Sequence, residues 1–72
     1  MTRDLLCRVG VALYGKHWQS SLANDLGVPR RVLQRWATGD APPRATVRRN
    51  LARLIAARQE VLGRLYRELA SG

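Results

Sequence analysis

Apolar residues recur every three or four positions along most of the chain, the period of helices that bury one face. Leu5, Leu6, Val9, Ala12 and Leu13 predict a first helix over Arg3 to Tyr14, with Gly15 as its stop and Gly10 as a mild internal weakness. Leu22, Ala23 and Leu26 form the inner stripe of a second helix from about Gln19 to Leu26, which Gly27 ends. Pro29 stands where a helix can begin without an amide donor. A third helix over about Pro29 to Ala37 then turns Val32, Leu33 and Trp36 inward. Gly39 to Pro43 (GDAPP) is the clear breaker. Beyond it Val47, Leu51, Leu54, Ile55, Arg58, Leu62, Leu65 and Leu69 keep the helical spacing. That pattern fits one helix of about 25 residues, about 38 Å long, or two joined near Gln59–Gly63; periodicity does not choose between them. The expectation is an all-α, small helical bundle, a single domain over residues 1–72, with a long or broken C-terminal helix.

Composition narrows the partner. Thirteen basic residues against five acidic ones give a net charge of +8, and all but Lys16 of the basic residues are arginines. The excess is uneven. Residues 1–28 carry +1, residues 29–58 carry +7 (eight arginines against Asp40), and residues 59–72 balance Arg64 and Arg67 against Glu60 and Glu68. A basic stretch centred on the third helix is the electrostatic footprint of a nucleic-acid partner. Arginine in particular favours bidentate contact with phosphate or guanine.

The segment Gln19 to Gly39 (QSSLANDLGVPRRVLQRWATG) carries the most information. Ala23 is small where two helices must cross closely, Gly27 follows where the chain turns, and Leu33 and Trp36 seat the second of the two helices. Arg30, Arg31, Gln34 and Arg35 are left on its outer face. The segment resembles the helix-turn-helix of the lambda-repressor/Cro (Xre-type) DNA-binding family. Gln19 with Leu22–Ala23, then Leu26–Gly27–Val28, Leu33, Trp36 and Gly39 match that pattern. Pro29 departs from it, because the family places a Ser or Thr helix cap there. The resemblance implies base contacts by Arg30, Arg31, Gln34 and Arg35, and phosphate contacts by Gln19 and by Arg44 in the loop before the next helix. It further implies a small autorepressor of the kind found in phage or mobile-element operons, including regulators that accompany anti-CRISPR genes.

Other residues have plainer readings. Lys16 and His17 either touch phosphate or are idle surface; Arg48, Arg49 and Arg53 either lie along phosphates, Arg48 foremost, or solubilise the last helix. Trp18 either staples the entry to the second helix, the favoured reading, or lies on sugar-phosphate. Cys7 reads as a small hydrophobe on the first helix, and a single cysteine builds no disulfide framework or multi-cysteine zinc site. His17 has no second ligand or nucleophile spaced to assist it, so neither an enzyme nor a metal or other cofactor is expected. No run approaches the ~20 apolar residues of a membrane span, and no signal-peptide layout is visible, which points to the cytoplasm.

The distal segment, about residues 59–70, presents Val61, Leu62, Leu65, Tyr66 and Leu69; Leu62, Leu65 and Leu69 either close the monomer's own core or, given their distance from the motif, form the homodimer seam expected there. The resulting expectation is a homodimeric repressor that binds double-stranded DNA at an inverted repeat, with no small-molecule ligand and no membrane partner. The rival readings are an adaptor or antitoxin-like module that grips a protein through its terminal helix, and a basic amphipathic helix at anionic membranes. The zero net charge of the terminal segment counts against the latter.

Overall fold

The computed structural model describes residues 1–72 and contains four helices: α1 (Arg3–Tyr14), α2 (Trp18–Leu26), α3 (Arg30–Thr38) and α4 (Val47–Ser71). Thr2 starts α1 by accepting the Leu5 N–H on its hydroxyl at 3.1 Å, and Asp4 lies in the first turn, where the helix dipole favours an anion. The short α2 and α3 end in the same way. Gly27 and Gly39 adopt left-handed φ of 72° and 87°. The N–H two places past each helix then reaches back to an otherwise orphan carbonyl: Val28 to Ala23 at 3.0 Å, and Asp40 to Arg35 at 2.9 Å. These are Schellman closures, and a residue with a Cβ would occupy both glycine positions only with strain.

Two boundaries differ from expectation, and one question left open by the periodicity is resolved. Trp18 is the first residue of α2 rather than a residue ahead of it. Pro29 lies just outside α3 as its cap residue, with extended ψ of 143°, so that helix begins at Arg30 and runs on to Thr38. Residues 59–70 are not a separate helix. They continue α4, which is unbroken for 25 residues through Gly63. One internal glycine costs only about 1 kcal/mol of helix propensity, and no proline interrupts the run.

The core is small and lies at one end. Leu6 and Leu13 of α1, Trp18, Leu22 and Ala23 of α2, Leu33 and Trp36 of α3, and Val47 and Leu51 of α4 are buried. Leu6, Leu22 and Leu33 are fully enclosed, each worth roughly 1.5–3 kcal/mol of burial. Trp18 is therefore a core residue, 7% exposed, inside α2 with its ring against Gly10 of α1, so it neither staples the helix from ahead of it nor leaves its ring free to lie on a backbone outside. Cys7 is half-buried against this cluster. Along α4, Leu54 and Ile55 are half-buried, whereas Leu62, Leu65 and Leu69 lie outside the core. The chain accordingly measures 48 × 23 × 20 Å, with the far half of α4 projecting from a compact head. No helix is long and apolar enough to cross a membrane.

Arg58 continues the spacing of the inner stripe, but its guanidinium turns back to α1. It donates to the Leu13 carbonyl at 2.9 Å and sits 5.8 Å from the centre of the Tyr14 ring. Tyr14 in turn donates its O–H to the Asp25 carboxylate, on α2. Burial, that hydrogen bond and the Asp25 charge together push the Tyr14 hydroxyl up to about 12, with Arg58 opposing the shift. The ends of α1 and α2 are thus tied to the middle of α4.

Candidate nucleic-acid interface

α3 is amphipathic in the strict sense: Leu33 and Trp36 are buried, while Arg30, Arg31 and Arg35 are exposed. Val32 packs inward against the core as expected, but it is half-buried and also lines an open hollow together with Gln19, Arg31, Gln34, Arg35, Thr38 and Asp40. Gln34 is half-buried rather than free, and its side-chain amide points at the Gln19 carbonyl oxygen at 3.4 Å. That distance is long for a hydrogen bond, but the contact orients one amide against the other. With Ala23 buried in the core, 3% exposed, the packing of α2 on α3 brings Gln19 into the same hollow as Arg31, Gln34 and Arg35.

Arg30 stands apart from its two neighbours. It borders a second hollow at the start of α2 with Lys16, His17, Trp18, Gln19 and Ser20. His17 precedes α2 without a side-chain cap, so the first N–H groups of that helix have no side-chain acceptor there. Orphan donors, the positive end of a helix dipole and two cationic side chains make this hollow attractive to an anion. Gln19 is shared by both hollows. Arg44, in the loop before α4, and Arg48, in its first turn, are exposed and border neither.

The electrostatics run in one direction. Neither α3 nor α4 has an acidic residue in its first turn or a side-chain cap. The only ion pair in the molecule is Arg8 with Asp4, 3.0 Å apart on the surface of α1. Arg30, Arg31, Arg35, Arg44, Arg48, Arg49 and Arg53 therefore carry their charge without an internal counter-ion, several of them against the dipole of their own helix. Asp40 is the single carboxylate bordering the first hollow. Arg3, which no motif singles out, donates to the Thr38 carbonyl at 2.8 Å and so stabilises the C-terminal end of α3. The only hint of it in the sequence is a cation near the start of the chain.

The distal residues Val61, Leu62, Leu65, Tyr66 and Leu69 are 44%, 56%, 49%, 70% and 83% exposed, a run of large apolar side chains on the projecting half of α4. Val61 still borders the junction with Leu13 and Tyr14, and the others lie farther along the helix. Comparisons with protein-family models, curated proteins and solved structures found no match.

Proposed function

We propose that this protein is a sequence-specific, double-stranded DNA-binding repressor of the lambda-repressor/Cro type. It acts in the cytoplasm as a homodimer on an inverted-repeat operator, most simply in its own promoter. The observation that carries the reading is the outer face of α3, where Arg31, Gln34 and Arg35 surround one hollow with Gln19 and neither of the two arginines is ion-paired.

A helix of this diameter fits the major groove, where an arginine fork matches the O6 and N7 acceptors of guanine and a side-chain amide matches adenine. Arg31 and Arg35 serve as the guanine readers. Gln34, steadied by Gln19, addresses a base between them. Gln19 and Lys16 at the start of α2 hold a phosphate, and the placement of Arg30 beside them favours a backbone contact over the base contact expected from its position in the motif. Arg44 and Arg48 extend the backbone track.

Two copies joined through Val61, Leu62, Leu65, Tyr66 and Leu69 bring two reading helices to successive grooves about 34 Å apart. The zero net charge of residues 59–72, in a chain of +8, lets the far ends of α4 approach where the heads repel. Repression follows from occupying promoter DNA, with no catalytic step, cofactor or small-molecule ligand.

The test is a gel shift on the DNA upstream of the gene with wild type, Arg31→Ala and Arg35→Ala. Each substitution is expected to weaken specific binding by ~1–3 kcal/mol while leaving binding to random duplex far less affected. Equal losses on both duplexes, or no preference for the upstream DNA, would overturn the reading.

A further inference from the structure

We infer that the junction of Tyr14, Asp25 and Arg58 determines which half-site spacing the dimer accepts, so that residues remote from α3 act as positioning residues for operator choice. The inference rests on the DNA-binding reading above.

α4 is anchored to the head at one end by Val47 and Leu51, and its exposed apolar run begins at Val61. Between them the helix is held by half-buried Leu54 and Ile55 and by the Arg58 bond to the Leu13 carbonyl. That bond is the last one α4 makes to another helix, and it lies next to the point where the helix leaves the head. Leu13 is in the last turn of α1, where carbonyls have no partner within the helix, so the Arg58 donor fills a real vacancy. The Tyr14 ring underlies the guanidinium, and its hydroxyl is bonded to Asp25 of α2. The direction in which α4 departs is thereby referred to the helix that crosses α3.

Small changes of that direction become large at the DNA. From Leu51 to Leu65, the middle of the exposed run, is ~21 Å along the helix. A tilt of ~10° about the anchored end moves the far end by ~3.5 Å, about the rise of one base-pair step. Two-fold symmetry doubles the effect, to roughly two base pairs. None of the three residues belongs to the reading face, so the half-site sequence is left alone.

The experiment is a selection from duplexes carrying two copies of the preferred half-site, with the spacer varied one base pair at a time. Circular dichroism and sedimentation on each variant monitor fold and dimer. Wild type is expected to enrich one narrow spacer class. Arg58→Ala should broaden or shift that class by one to two base pairs with the half-site consensus, helicity and dimer intact. Arg58→Lys keeps a donor for Leu13 and should restore the wild-type optimum. Tyr14→Phe keeps the ring and removes only the bond to Asp25, and should shift the optimum in the same sense by less. An unchanged spacer optimum in both Arg58→Ala and Tyr14→Phe overturns this inference alone. A wild type that enriches no duplex at any spacing overturns the DNA-binding reading and the inference with it.

Discussion

Replacing Gly10 with alanine sets two well-calibrated effects against each other. Gly10 is buried in the middle of α1, and a Cβ built there overlaps the six-membered ring of Trp18, with even the third-nearest ring atom, Cζ3, only 2.8 Å away. Helix propensity favours alanine by ~0.8–1 kcal/mol. Against that, Trp18 is 7% exposed and packed in the same cluster as Leu6, Leu22 and Leu33, so its rigid ring moves only by displacing neighbours. Overpacking of this kind costs typically ~1–3 kcal/mol and sometimes more, and expulsion of the indole is bounded by the ~3–5 kcal/mol of a Trp→Ala truncation.

Because the overlap involves several ring atoms, the cost falls high in that range, and Gly10→Ala should lose ~2–3 kcal/mol net. For a domain of this size that is a fall of ~10–20 °C in Tm. Gly63→Ala is the internal control. It is also a helical glycine, but the nearest atom to its added Cβ is the flexible Nη1 of Arg67 at 3.6 Å, so propensity wins and the variant gains ~0.5–1 kcal/mol. Urea titrations at fixed protein concentration, followed by tryptophan fluorescence and far-ultraviolet circular dichroism, measure both. A Gly10→Ala variant as stable as wild type, or two glycine variants moving in the same direction, would refute the packing argument.

Three further outcomes are expected. Affinity for the operator should fall ~10³–10⁵-fold between 50 and 200 mM salt if the dimer neutralises about 6–10 phosphates, and a flat salt profile would count against DNA as the partner. Leu65→Asp should sediment as a monomer with its head still folded and should lose most operator affinity, since two half-sites no longer bind as one unit; a variant that remains dimeric places the seam elsewhere. The Tyr14 hydroxyl is raised in the folded state from its ordinary 10.0 to about 12, so its contribution to stability is complete below pH 10 and is lost as pH rises through 12. Tyr14→Phe should therefore show a shallower alkaline decline over that window than wild type, and parallel declines would remove the Asp25 bond from the account.

What was legible in the sequence was mostly local. α1 spans Arg3–Tyr14 and stops at Gly15 as its patterning predicts, and Leu22, Ala23, Leu33 and Trp36 are buried as their spacing predicts. The end of α2 at Gly27 and the closure at Gly39 follow from residue chemistry alone. The features that escaped depend on contacts distant in sequence. Gly10 reads as a weak point in a helix, and only the packed indole makes it a requirement. Arg58 fits the apolar stripe by spacing and serves instead as a donor to a carbonyl 45 residues earlier. Arg30 belongs to the α3 run in sequence, yet at the start of that helix it faces the entrance of α2. The continuity of α4 was undecided because an apolar repeat looks the same with or without a break at Gly63.

Burial along α4 stops well before the helix does. Residues 59–71 make no hydrogen bond to another helix, and their amides are held only by propagation from the turns that Leu51, Leu54 and Arg58 secure. Isolated helices of fewer than about 12–15 residues are marginal in water, so in a dilute sample this stretch frays at a free energy far below that of global unfolding. Deuterium should enter these amides first, and pairing with a second chain should slow its entry by mass action. If two copies pair as proposed, the molecule has two stabilities, one intrinsic to the chain and one set by its concentration. The first keeps α3 in shape in a lone copy; the second decides how long the far end of α4 persists as a helix between encounters.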